Sequence, residues 1–227
     1  MIRVIDFETT GTAPPAQVVE VGYCDLDVED GAWRVREPVS WLCGVEGIPP
    51  ETRAVHHITI AEVAGLPSFQ EASLYKFGTV MAAHNMAFEE QWLPGMIEHR
   101  LCTYKAALRV WPEAPGHSNG VLRYWLEDHG LLSLDPALAQ PAHRAGPDAY
   151  VTAHILKALL EAGATGRDMV AWTREPAVLP TCPIGKFRGK PWAEVEEGFL
   201  RWMTQQATME ADLKWNAQRE IDRRAAA

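Results

Sequence analysis

The chain has 227 residues, 47% of them hydrophobic and 22% charged, with a net charge of −9 at neutral pH. That is the composition of a globular chain with one good-sized core and room for a small appendage. No apolar run approaches the ~18 residues of a bilayer span, and Cys24, Cys43, Cys102 and Cys182 are too scattered for a disulfide scaffold or a zinc ribbon.

A strand begins almost at the N-terminus, with no stretch resembling a signal peptide, so a cytoplasmic location is the expectation. The acidity is uneven. Residues 1–160 carry 11 Lys and Arg against 20 Asp and Glu, whereas 161–227 carry 10 of each. A globally acidic chain can still bind polyanions through bound cations or a local basic strip.

In chain order, Ile2–Phe7 reads as a buried strand. Gln17–Asp27 and Trp33–Trp41 read as two more, joined by the turn signal Glu29-Asp30-Gly31. After a loop rich in Gly and Pro come short helical pieces broken at Gly65 and Pro67. Thr79–Ala83 is expected as a short strand, Phe88–Leu93 as a helix stopped at Pro94, and Arg100–Thr103 as another strand. Tyr104–Trp111 and Ser118–His129 have amphipathic helical spacing. The cleanest helix is "GPDAYVTAHILKALLEAG", with Pro147 suited to its first position and Gly163 to its C-terminal cap. A meander of strands followed by alternating strands and helices predicts an α/β fold, a mixed sheet flanked by helices. The three prolines of "REPAVLPTCP" mark a linker. The expected division is a main domain over 1–165, a helix and Pro-rich linker over 166–180, and a small C-terminal module over 181–227.

The first strand ends in "DFETTG". Side chains two apart on a strand point the same way, so Asp6 and Glu8 stand side by side. Two acids pressed together beside an apolar core repel, and one holds its proton unless a cation is at hand. Alone, these residues fit equally a polar turn and a metal or catalytic pair. Two distant segments answer them. In "AAHNMAFEEQWL" a short strand ends at His84-Asn85 and Glu89 opens a helix; in "HRAGPDAY" Asp148 falls in the first turn of the long helix. A carboxylate there is favoured by about 0.3–1 kcal/mol whatever its role. If the strands carrying Asp6 and His84 are neighbours, their C-terminal ends face one crevice.

Together the three motifs resemble those of the DEDDh 3′–5′ exonucleases, which have an RNase H-like fold. D-x-E-T-T-G matches Asp6–Gly11, H-N-x-x-F-D matches His84–Glu89 except at its last position, and a His five residues before an Asp matches His143 and Asp148. "VHHITIAEVAGLPSF" also looks like an H-x-I-T segment of that family. "LCTYKAALRVWP" and the tail "IGKFRGKPWAEVEEGFLRWM" extend the likeness to bacterial exodeoxyribonuclease members of about this length.

The resemblance implies an RNase H-like sheet, two divalent metal ions (Mg²⁺ or Mn²⁺), and 3′–5′ release of nucleotides from DNA 3′ ends, single-stranded ones first, in DNA repair. It implies metal ligation by Asp6, Glu8, Glu89 and Asp148, with His143 as the general base. Hydrolysis of a phosphodiester suits such a set, because two cations about 3.5–4 Å apart stabilise both attacking and leaving oxygens and prefer hard oxygen ligands. His84, Asn85, Thr9 and Thr10 are expected at the terminal nucleotide, with Phe7 or Met86 stacking on a base. Among the remaining histidines only His57 is set apart, by the H-x-I-T likeness. Lys186, Arg188 and Lys190, interleaved with two aromatics in "GKFRGKPW", form a candidate grip for single-stranded DNA. Rival readings are an RNA-trimming 3′–5′ exoribonuclease, a weakened nuclease that only binds nucleic acid because Glu89 replaces Asp, and a proofreading subunit.

Overall fold

Alternation along Ile2–Thr9 (β1) puts Ile2, Val4, Asp6 and Glu8 on one face and Ile5 and Phe7 on the other, which decides where the acids go. The structure is a computed structural model describing residues 1–70, 80–93 and 97–226. Val18–Glu29 (β2) pairs antiparallel with β1, setting Asp6 opposite Gly22 and Glu8 opposite Glu20, with an irregularity between Glu8 and Thr9. The hairpin turn falls where its residues predicted, with both Asp30 and Gly31 at positive φ (52° and 77°).

The expected strand Trp33–Trp41 is two strands instead. Ala32–Val35 (β3) pairs with the outer half of β2 and Val39–Leu42 (β4) with the inner half. Pro38 sits in the break, where its missing N–H cannot serve the ladder.

Pro50–His56 (α1) and Ile60–Val63 (α2) follow, the second opened by a Thr59–Glu62 capping box. Val80–Ala83 (β5) runs parallel to β1; Thr79 of the expected strand lies outside the described residues. The next helix, Met86–Glu89 (α3), differs from expectation. It starts two residues early, at Met86, whose side chain is buried in the core, and is a single turn that ends at Glu89. Pro94, the expected stop, lies outside the described residues. His99–Cys102 (β6) pairs parallel with β5, and Thr103, expected in the strand, begins Thr103–Val110 (α4). Asn119–Asp128 (α5), Ala145–Glu161 (α6) and Gly166–Arg174 (α7) complete the main body. Pro147 is the third residue of α6 rather than the first, still within the turn whose N–H groups lack helical partners. Gly163 follows the helix at φ 97°, as a C-terminal glycine should.

The mixed sheet runs β3-β2-β1-β5-β6, with β4 also on β2. The long helix α6 covers the face of Ile2 and Val4, and Ala149, Ala153 and Leu156 join them with Cys24 and Leu26 in the main core. Ile5, Phe7, Val21, Met81 and Met86 build a second core on the opposite face. Glycine permits the close approach of α6. A Cβ on Gly22 would collide with the Ala145 backbone, and one on Gly146 would press Ser40 Oγ at 3.0 Å. The apolar face of β1 thus ends in Asp6 and Glu8 beside the start of α6.

Past α7 the chain runs extended, and two α4 cations hold it there. Lys105 Nζ donates to the carbonyls of Thr173 (3.0 Å) and Glu175 (2.7 Å), and Arg109 reaches the Glu175 carboxylate at 2.9 Å. Glu197–Gln205 (α8) and Ala211–Ala225 (α9) then enclose a small separate core of Cys182, Val195, Leu200, Met203, Leu213 and Ala217. Buried Asn216 ties α9 to the extended segment through the Leu179 N–H (3.1 Å) and the Ala177 carbonyl (2.7 Å). Among the described residues no helix is long and apolar enough to cross a membrane.

Candidate active site

The adjacency on which the crevice depended is present, since β1 and β5 are parallel neighbours. Their C-terminal ends open on a cleft of about 460 Å³ lined by Asp6, Glu8, Thr9, Glu89, His143 and Asp148 among others. Ligand oxygens of Asp6, Glu8 and Asp148 lie within 4.8 Å of one another. Glu89 comes from α3, is 4% exposed, and its Oε2 has no hydrogen-bond partner. A buried carboxylate oxygen without a donor is costly.

The electrostatics carry the same message. Burial first, then the neighbouring carboxylates Glu89, Asp148 and Glu8, hold the Asp6 carboxyl well above the usual range. Burial, then Asp148 and Glu20, push Glu8 up to about 8, partly offset by Arg144. Burial and Glu8 push Glu89 up to about 8, and burial raises Asp148 against the hydrogen bond it accepts from His143 N–H. Four acids that repel in a half-dry cleft, one oxygen unpartnered, form a donor set that fits hard divalent cations.

This arrangement has a pH signature. Glu8 and Glu89 sit near 8 when folded against an ordinary 4.5, so the folded protein holds protons that the unfolded chain has released. Their contribution to stability is fully present below about pH 4.5 and is lost as pH rises through 8. In chelator, the protein is expected to melt several degrees lower at pH 9 than at pH 6, and Mg²⁺ is expected to restore more at pH 9. A melting temperature that rises with pH in chelator would contradict the buried-acid geometry.

His143 is exposed at the cleft rim with φ 58°, and its N–H donates to Asp148 Oδ2 at 3.0 Å. Its side chain has access to the space between the acids and solvent.

Several expected substrate contacts are placed differently. The Phe7 ring packs edge-on against Phe69 (centroids 5.6 Å) in the second core, and Met86 is 1% exposed, so neither offers a face to a base. Both ring nitrogens of His84 are taken. Nδ1 meets Thr103 Oγ1 at 2.9 Å and Nε2 meets the His117 carbonyl at 2.8 Å, while burial lowers its pKa to about 4. His84 is a neutral pin between β5, α4 and the 117 loop. Thr9 Oγ1 donates to the Gly11 carbonyl (2.6 Å), and Thr10 Oγ1 accepts from Gln17 N–H (2.8 Å), so both hydroxyls close the turn after β1. Asn85 is exposed and makes no side-chain cap on α3. In the tail, Lys186 pairs with Glu196 at 2.9 Å and Lys190 with Glu194 at 3.5 Å, while Phe187 and Trp192 pack on the small core. Both rings of the expected grip are half-buried against that core. Arg188 is exposed, and no ion pair to it is found among the described residues.

Two features were missed. The His57 side chain is exposed and its residue caps α1 at φ 60°, whereas His56 is 2% exposed on the cleft wall and takes the Ile58 N–H on Nδ1 at 3.0 Å. Counted from its first letter, H-x-I-T begins at His56. The second is Glu20, a 2%-exposed carboxylate bound by Arg144, whose signal was an acid set between valines in "VVEVG".

Comparison with known proteins agrees with this geometry. The Exonuclease family model matches residues 4–156. The chain is 34% identical over 209 residues to Exodeoxyribonuclease 10 of Escherichia coli (strain K12), covering 89% of this chain and 90% of that protein. The solved structure of Exonuclease X in complex with 5′ overhanging duplex DNA superposes with a TM-score of 0.63 at 33% identity, over 76% of this chain and 99% of the other. At 16% identity, cell-death related nuclease 4 shares the fold alone, with a TM-score of 0.53 over 72% of this chain and 64% of that one.

Proposed function

On the footing that the chain belongs to the exonuclease family, we propose that it is a metal-dependent 3′–5′ exodeoxyribonuclease that removes nucleotides from DNA 3′ ends, in DNA repair. The observation that carries this is the convergence of Asp6, Glu8, Glu89 and Asp148 with His143 on one cleft. The likeness to an exodeoxyribonuclease along almost the full length of both chains favours DNA over RNA.

Asp6, Glu8 and Asp148 would together hold one divalent cation, and Asp6 with Glu89 a second; Mg²⁺ or Mn²⁺ suits all-oxygen donors. Such cations supply charge neutralisation for the phosphodiester and acidify water. The chain's own part is positional. Asp148 fixes His143 through the backbone N–H, leaving the imidazole free to take a proton from the attacking water as general base. The turn of Thr9 and Thr10 holds the wall of the cleft, and half-buried His84, bonded through both ring nitrogens, fixes the chain just before α3. His56 stands on the same wall.

The test is turnover on matched DNA and RNA oligonucleotides labelled at the 5′ end, with Mg²⁺ and with chelator. Stepwise shortening of DNA from the 3′ end, Mg²⁺-dependent and faster than on RNA, is expected. Preference for RNA would move the assignment to the exoribonucleases, and binding without cleavage would make the chain a nucleic-acid-binding relative.

Residues 181–227 form, in this reading, a small module that grips the DNA backbone away from the cleft. Exposed ion pairs such as Lys186–Glu196 are worth only about 0–1 kcal/mol, so phosphates can displace the glutamates. Replacing Lys186, Arg188 and Lys190 by Ala is expected to weaken DNA binding and flatten its salt dependence, by up to about one unit of slope for each phosphate no longer neutralised. An unchanged slope in a salt titration would return the segment to a purely structural role.

A further inference from the structure

We propose that Glu20 and Arg144 form a clamp that sets the His143–Asp148 turn against the sheet acids, which makes both of them positioning residues for hydrolysis; this rests on the exonuclease reading of the same cleft. Glu20 lies on β2 directly opposite Glu8 and is 2% exposed. Its carboxylate accepts Arg144 Nε at 2.8 Å, Arg144 Nη2 at 2.9 Å and the Ala145 N–H at 3.1 Å. All three donors come from the two residues that follow His143. A guanidinium fork on a carboxylate fixes a plane as well as a distance, which a single contact does not do.

The turn needs such an anchor. His143 has a left-handed backbone, φ 58°, which side-chain-bearing residues avoid. Its N–H donates to Asp148 Oδ2 at 3.0 Å, and Asp148 N–H donates to the Arg144 carbonyl at 3.0 Å. The loop therefore closes on itself through Arg144, and Glu20 ties that residue to the strand beside β1. The clamp also faces the cluster electrostatically: Arg144 is the cation that lowers the Glu8 carboxyl against its acidic neighbours. Neither Glu20 nor Arg144 lines the cleft. Their action on the reaction runs through His143 and Asp148.

The test compares Arg144→Gln, Arg144→Lys and the double variant Glu20→Gln/Arg144→Gln by steady-state kinetics on single-stranded DNA and by hydrogen–deuterium exchange at the His143 amide. Because Arg144→Gln strands a buried carboxylate at a cost to folding, the double variant supplies a neutral amide pair in its place. Expected is a fall in kcat of about 10–100-fold with KM within a few-fold, the scale of a misplacement near 1 Å, and faster exchange at His143. Arg144→Lys keeps the charge without the fork and is expected to stay impaired. Unchanged exchange at His143, or native kcat in the folded double variant, would overturn the clamp; a raised KM with native kcat would overturn it by making Arg144 a substrate contact. A wild-type protein inactive on nucleic acid sinks the exonuclease reading instead, and the exchange measurement still decides the clamp.

Discussion

Asp6→Asn is expected to remove Mg²⁺-dependent cleavage by about 10³-fold or more while making the metal-free protein more stable. Asp6 occupies the centre of the cleft, and its carboxyl feels Glu89, Asp148 and Glu8 together. Charge stabilisation by bound cations is worth several kcal/mol, and every ~1.4 kcal/mol is tenfold in rate. The stability effect has the opposite sign because the substitution deletes one of four mutually repelling, partly desolvated acids at nearly constant shape. The measurement is paired: turnover with Mg²⁺, and thermal melting in chelator at pH 8. Near-native turnover would sink the metal-ligand assignment, and a large drop in melting temperature would show that Asp6 holds the fold rather than the ions. Asp148→Asn makes a useful companion. It loses a metal ligand and also weakens the acceptor for His143 N–H, so its melting temperature should rise less than that of Asp6→Asn.

Much of this site was legible because it is built from short-range rules. Alternation on β1 fixes Asp6 beside Glu8, and the parallel pairing of β1 with β5 brings the ends of both strands to one crevice. What could not be read depended on which face a side chain meets in three dimensions. Phe7 follows the same alternation as Asp6 and is therefore carried to the opposite core, where Phe69 covers it. His84 and Asn85 look like substrate contacts in a motif, yet His84 spends both nitrogens on α4 and the 117 loop, partners that are 19 and 33 residues away. The one-turn helix α3 is too short to show any period, so its start was set two residues late. Phe187 and Trp192 lean on the small core because a module with few apolar residues needs their area there. Glu20 was overlooked for a related reason. A charge on a buried strand is intelligible only once its partner is known, and Arg144 lies 124 residues away.

Position 89 separates two geometries, because there the chain carries Glu where the H-N-x-x-F-D motif it resembles ends in Asp. Glu89 is 4% exposed, its Oε2 is unpartnered, and it is the largest charge influence on Asp6, yet it lies outside the tight group of Asp6, Glu8 and Asp148. That placement suits a residue serving its cation through an intervening water. Glu89→Asp keeps the charge and shortens the arm by one methylene, so activity is expected within about tenfold of native, with a small loss of stability from the vacated space, about 1 kcal/mol. Glu89→Gln keeps the shape and removes the charge. It is expected to lower activity by about 10²–10³-fold, the scale of deleting one electrostatic partner of the transition state. The same substitution should raise the melting temperature in chelator above pH 8, where the native carboxyl has been forced to ionise, and should shrink the stabilisation that Mn²⁺ confers. These two readouts move in opposite directions only if the buried carboxylate exists to meet a cation. A crippled Glu89→Asp would mean direct ligation with a backbone fitted to the longer arm, and a fully active Glu89→Gln with unchanged Mn²⁺ stabilisation would remove Glu89 from the metal site.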